Sequence, residues 1–133
     1  MNEKQKELKD KVKKGSVTAA YSLAEALKWG CYGGADYKAS AAMYRICCRA
    51  KDKKMASEGY YNLGILYYYG YLLGEEEQEK SRRIAYSCFL KSAMLSHHIG
   101  ALNKLGDMYR YGQYVNKDER VALSLYVRAT GQG

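Results

Sequence analysis

The 133-residue sequence predicts an all-α fold, a solenoid of three stacked helix pairs, and three observations predict it. The first is an internal repeat. Leu23-Ala24-x-x-Leu27-x-Trp29-Gly30, Leu63-Gly64-x-x-Tyr67-x-Tyr69-Gly70 and Leu105-Gly106-x-x-Tyr109-x-Tyr111-Gly112 superpose, 40 and then 42 residues apart. That period falls among helix-pair solenoids, whose units stack because one pair cannot bury its own apolar face. The second is periodicity. Ala19, Gly59 or Ala101 stands four residues before each Leu, so small, Leu and Leu/Tyr recur at i, i+4 and i+8, one stripe of a helix. The third is punctuation. There is no proline to break a helix, and Gly30, Gly70 and Gly112 close the three runs where a helix end needs positive φ.

A second helix follows each first one. Asp36 and Asp118 stand six residues after Gly30 and Gly112, and Asp ahead of an apolar-periodic run is a good N-cap. Ser40 and Ala122, then Tyr44 and Tyr126, follow at helical spacing. In the middle unit the equivalent helix is expected to start after Ser81, with Ala85 and Phe89 at those two positions. The small residue after each Leu (Ala24, Gly64, Gly106) lets a neighbouring helix approach closely.

These residues resemble the Sel-one-like repeat family, a relative of the tetratricopeptide repeats with a unit of about 36 residues. The stretch from Ala101 to Gly133 follows the family pattern at Leu105, Gly106, Tyr109, Gly112, Val115, Asp118, Ala122, Tyr126, Ala129 and Gly133. Departures are local. Cys47 and Cys48 replace an Ala pair, and four residues are added before the second unit. Five are inserted between Gly70 and Lys80, and one more precedes the third unit. Leu8, Val12 and Gly15 fall at the family's Tyr, Ala and Gly. The resemblance therefore implies a right-handed α/α superhelix. Residues 1–14 form an N-terminal capping helix, followed by repeats at 18–50, 56–96 and 99–133. With no polar cap helix after the third repeat, the reading leaves open a longer array, or self-association through the uncapped C-terminal end.

Composition narrows the function classes. No apolar run of about 18 residues spans a membrane. The charged N-terminus lacks the apolar core of a secretory signal. Cys31, Cys47, Cys48 and Cys88 match neither a zinc spacing nor a disulfide framework, which makes a reducing, cytoplasmic setting the default. The Cys residues read as packing groups and His97 and His98 as plain turn residues, so no metal and no cofactor is expected. No G-x-S-x-G, H-E-x-x-H or P-loop pattern appears. Hydrolytic members of the family carry a Cys pair in each repeat, a pattern missing here, so the reading is not an enzyme. The net charge of +8 favours acidic partners. A nucleic-acid partner is disfavoured, because the basic clusters at 4–14, 45–54 and 80–91 lie mostly on helices other than the aromatic ones.

The fifteen Tyr against one Phe and one Trp suit half-buried surfaces. In tetratricopeptide relatives the first helices line a concave groove. If the resemblance carries that over, Trp29, Tyr69 and Tyr111 face it in register as an aromatic ladder, and rigid aromatics suit binding hot spots. Asn62 matches an Asn frequent in the family and could bond a peptide backbone. Tyr61, Tyr68, Lys28 and Arg110 join the groove candidates, the last two as carboxylate holders. The insertion Tyr71–Glu79 is a further candidate, since its apolar start needs a cover. The expected function is a scaffold or adaptor holding a peptide or partner helix in the groove. Alternatives are a structural segment of a longer array or homo-oligomer, and a small-molecule-binding or hydrolytic protein.

Overall fold

A computed structural model describes residues 2–131; Met1 and the final Gly133 of the repeat pattern lie outside them. Among the described residues there are seven α-helices and no strand. A lone helix α1 (Glu3–Lys13) precedes three hairpins: α2 (Val17–Lys28) with α3 (Tyr37–Cys48), α4 (Lys53–Tyr68) with α5 (Gln78–Ser96), and α6 (Ile99–Tyr111) with α7 (Glu119–Ala129). Each helix packs chiefly on its neighbours in the chain, the one-dimensional contact scheme of a solenoid. None is long and apolar enough to cross a membrane.

Local chemistry sets the helix ends. Asp36 and Asp118 accept amide bonds from Ala39 at 3.0 Å, and from Arg120 and Val121 at 3.0 and 3.1 Å, as N-caps do for about 1 kcal/mol each. Asn2, Ser16 and Asp52 cap α1, α2 and α4 in the same way. Gly30, Gly70 and Gly112 adopt φ of 72°, 76° and 65°. The next amide then reaches back to Ala26, Leu66 and Met108 carbonyls at 2.9, 3.0 and 2.9 Å, one Schellman turn repeated three times.

The middle hairpin departs from its expected start. The inserted acidic run forms a short 3-10 turn at Glu75–Glu77 that leads directly into α5 at Gln78. Ser81 therefore lies inside the helix, buried, with no partner for its hydroxyl. The carboxylates of Glu75, Glu76, Glu77 and Glu79 sit at the positive end of the α5 dipole. The apolar start of the insertion is partly covered by its own chain, with Tyr71 left half exposed. Tyr71 stacks on Tyr37 with ring centroids 4.3 Å apart, and Leu72 packs on the core.

Two glycines set how closely the hairpins close. A Cβ on Gly64 would stand 2.8 Å from the Phe89 ring, and one on Gly106 2.6 Å from the Tyr126 ring. Gly59 plays this part between hairpins, where a Cβ would meet Cys47 Cβ and the Cys48 amide nitrogen at 2.8 Å. The Cys47 and Cys88 side chains are buried there as small apolar groups, and burial pushes both thiols up to about 11. Ser57 and Ser92 join α4 to α5 by reciprocal hydroxyl-to-carbonyl bonds of 2.8 Å. Because the Cys48 amide is fixed backbone, Gly59→Ala is expected to cost about 1–3 kcal/mol. That would appear as a lower midpoint of urea denaturation at unchanged slope. A variant as stable as wild type would show that α3 and α4 are free to separate.

Candidate functional site

The first helices α2, α4 and α6, with the C-cap residues Trp29 and Tyr69 that end two of them, carry the groove candidates, while the insertion Tyr71–Glu79 lies outside them. The structure divides them into two groups. Trp29, Tyr69 and Tyr111 project from the helix ends with 71%, 52% and 61% of their surface exposed. Among the described residues no ring contact joins the three to one another. Each lies instead beside a cation: Lys28 Nζ is 5.3 Å from the Trp29 ring, Lys104 Nζ 4.8 Å from Tyr69, and Arg110 5.4 Å from Tyr111. Such pairs contribute about 0.5–1 kcal/mol at exposed sites. They also hold a flat apolar face next to a positive charge.

The second group is engaged inside the protein. Asn62 is buried, donating to the Glu58 carbonyl at 2.9 Å and accepting from Lys28 at 3.4 Å. Tyr61 stacks on His98 at 4.4 Å and leans on Phe89. Tyr68 donates its hydroxyl to Gln113 at 2.7 Å and meets Tyr69 edge to face. These three tie one hairpin to the next and set the spacing of the exposed aromatics.

His97 and His98 do more than fill a turn. His97 ends α5 in the left-handed conformation and donates Nε2–H to the Arg128 carbonyl at 2.8 Å. His98 caps α6, its Nδ1 accepting the Ala101 amide at 3.1 Å, while Nε2–H donates to Glu58 at 2.8 Å. Among the described residues no three His, Cys, Asp or Glu side chains converge as metal ligands.

Lys104, one residue before Leu105, completes the site. It donates to the Tyr69 hydroxyl and lies 5.1 Å from the Tyr68 ring. Its signal was its register with Asn62, since each precedes the repeat Leu.

The carboxylates of this face have internal partners. Tyr44 donates to Glu25, which also accepts Trp29 Nε1–H at 3.4 Å. Tyr126 donates to Asp107 at 2.6 Å, and Glu58 holds His98. In the middle hairpin both members of the pair are replaced together, Phe89 standing for the Tyr and Ile65 for the acid. By contrast, Lys28, Lys104 and Arg110 enter none of the four ion pairs formed among the described residues. The face is therefore a set of cations outside any ion pair beside exposed rings, with its acids hydrogen-bonded within the protein.

No family model matches the chain, and no curated protein matches it. Solved structures do. The fold is that of an α/α repeat solenoid. More particularly, it is the fold of a Sel1 repeat protein from Oxalobacter formigenes, whose crystal structure superposes with a TM-score of 0.73 at 20% identity. That match covers 97% of this chain and 49% of the other, so the chain spans about half the length of the protein it matches. A protective antigen of uropathogenic Escherichia coli with an SLR fold is matched at a TM-score of 0.44 and 19% identity, over 94% of this chain and 32% of that one.

The tyrosine–carboxylate pairs have a pH signature. Burial first, then the bond to Asp107, pushes the Tyr126 hydroxyl up to about 12, and the same causes raise Tyr44 further. A folded-state pKa above the unfolded value near 10 means stability that is present below pH 10 and lost as pH rises towards 12. Tyrosinate absorbance should therefore show a late fraction that titrates together with unfolding. Tyr126→Phe with Tyr44→Phe should shrink that fraction to the part owed to Tyr86, which burial and the bond to Tyr109 push up to about 12, and a late fraction of unchanged size in the double variant would refute the assignment.

Proposed function

We propose that the protein is a protein-interaction module that acts by binding rather than by catalysis. It holds an extended acidic segment of a partner protein across α2, α4 and α6. The observation that carries this reading is the triple pairing of an exposed aromatic with a cation outside any ion pair: Lys28 with Trp29, Lys104 with Tyr69, Arg110 with Tyr111. Rigid rings give contact area at low entropic cost, and cations beside them select carboxylates over neutral side chains. Trp29, Tyr69 and Tyr111 act as anchors and Arg110 as a bidentate holder. Tyr61, Tyr68 and Asn62 fix the spacing between them, Asn62 also orienting Lys28.

A second reading rests on the last hairpin. Leu123 of α7 is 63% exposed, whereas its counterparts Ala41 and Tyr86 are covered by α4 and α6. Val127 beside it is also exposed. This is the surface on which a further repeat, or a second copy, would seat.

The test compares wild type with Tyr69→Ala/Tyr111→Ala by light scattering and by capture of partners at two salt concentrations. A monomeric wild type should retain a partner that high salt weakens and that the double variant loses by about tenfold or more. Thermal stability should fall only slightly, by about the 0.5–1 kcal/mol that each exposed ring–cation pair contributes. Retention of the partner by a folded double variant overturns the anchor assignment. Self-association of wild type with nothing else retained favours the array reading.

A further inference from the structure

The geometry points to a second docking site, separate from the α2–α4–α6 face, for an aromatic side chain carried in an acidic segment of a partner protein. It is an apolar cavity of about 300 Å³ where α1, α2 and α3 meet. Val12 of α1, Leu23 and Leu27 of α2, and Ala39 and Met43 of α3 line it, with Lys9 and Lys13 of α1 as its only charged members.

The internal repeat shows what belongs in such a place. Leu8 of α1 packs near Leu23, as Tyr44 of α3 packs with Leu63, so α1 stands to α2 as α3 stands to α4. At the later junctions the position of Leu27 is held by Tyr67 and Tyr109. The Tyr67 ring packs against the cluster that holds Tyr44 and Leu63, as Ile84 does, and its hydroxyl accepts from Arg45 at 2.9 Å. Tyr109 sits against Tyr86 with the two hydroxyls 2.8 Å apart. At the first junction Leu27 supplies no ring, Ala39 stands where Ile84 stands, and Lys9 stands where Arg45 stands. The cavity thus lies where a phenol ring is seated elsewhere in the same chain, with a cation at the hydroxyl end.

The charge around it sets the partner's flanks. Helix α1 carries Lys4, Lys6, Lys9, Lys11 and Lys13 against Glu3, Glu7 and Asp10, and among these only Lys11 and Glu7 form an ion pair. An incoming ring with carboxylates beside it fills the apolar floor and meets Lys9 and Lys13 at the rim. Apolar area gives the affinity and the lysines give the preference for an acidic segment. None of the residues in this cavity takes part in the α2–α4–α6 site, so the two readings stand or fall separately.

The test uses the full chain and a fluorescent peptide with one central phenylalanine between two aspartates on each side. A matched peptide with alanine at the centre is the control. Wild type should bind the phenylalanine peptide at least tenfold more tightly than the control, and the methyl signals of Val12 and Leu23 should shift on titration. Leu27→Tyr builds the missing ring from the protein itself and should abolish binding while raising the thermal midpoint. Should that variant fold poorly, Ala39→Ile fills the same space with the residue found at Ile84. Lys9→Glu/Lys13→Glu should weaken binding tenfold or more with the fold intact. The proposal is overturned if wild type binds both peptides alike or neither. It is also overturned if the filled variants bind as wild type does, or if the cavity is covered by a second copy, seen as a dimer that Leu27→Tyr dissociates. Tyr69→Ala/Tyr111→Ala should leave this binding unchanged.

Discussion

The architecture depends on one steric constraint: a helix face bare of all but the smallest side chains, onto which an aromatic ring from the returning helix is laid. Gly64 receives Phe89 and Gly106 receives Tyr126 at distances a single methyl would forbid. In the first hairpin Ala24 serves, with the Ser40 hydroxyl bonding its carbonyl at 2.8 Å while Tyr44 is wholly buried. Interiors packed this closely tolerate little added volume. The ring fixes how far apart the two helices lie, and hence where the helix ends, with their exposed aromatics, emerge.

The polar requirements of those rings shape the surface above them. A buried phenol needs a hydrogen-bond acceptor, and Glu25 and Asp107 supply it from the first helix. Where the ring is Phe89, Ile65 takes the acceptor's place and no polar group is left stranded. Those carboxylates keep their negative charge while accepting from a neutral phenol, and Asp107 still acts on Lys104 through space. A packing rule inside the hairpin thus fixes where acids stand among the cations of the surface outside it.

Features fixed by local backbone chemistry could be read from the sequence. The Gly at 30, 70 and 112 and the Asp at 36 and 118 are demanded by left-handed φ and by unsatisfied amides within a few residues. The start of α5 could not, because a run of four Glu with one Gln reads equally as a solvated loop or as the favourable first turn of a helix. Asn62 and Tyr61 were correctly placed on the first helices, but whether a side chain faces solvent or the next hairpin depends on the angle between hairpins. The pairing of Lys104 with Tyr69 was hidden for a similar reason, since the two lie 35 residues apart. The cavity beside Leu27 was invisible as well. Leu and Tyr are equivalent as apolar periodicity, and only the three-dimensional register shows that one fills the junction and the other does not.

The chain-neighbour packing has a consequence for how the molecule responds to force and to partial unfolding. Among the described residues no helix packs broadly on one beyond its chain neighbours, so no helix–helix interface ties the first hairpin to the last. The outer hairpins can open without breaking contacts in the middle one, where Ser57 and Ser92 are cross-linked by paired hydrogen bonds. A molecule of this kind behaves as a short spring, stiff at its centre and compliant at its ends. A ligand gripping two adjacent hairpins would stiffen that junction and leave the rest as soft as before.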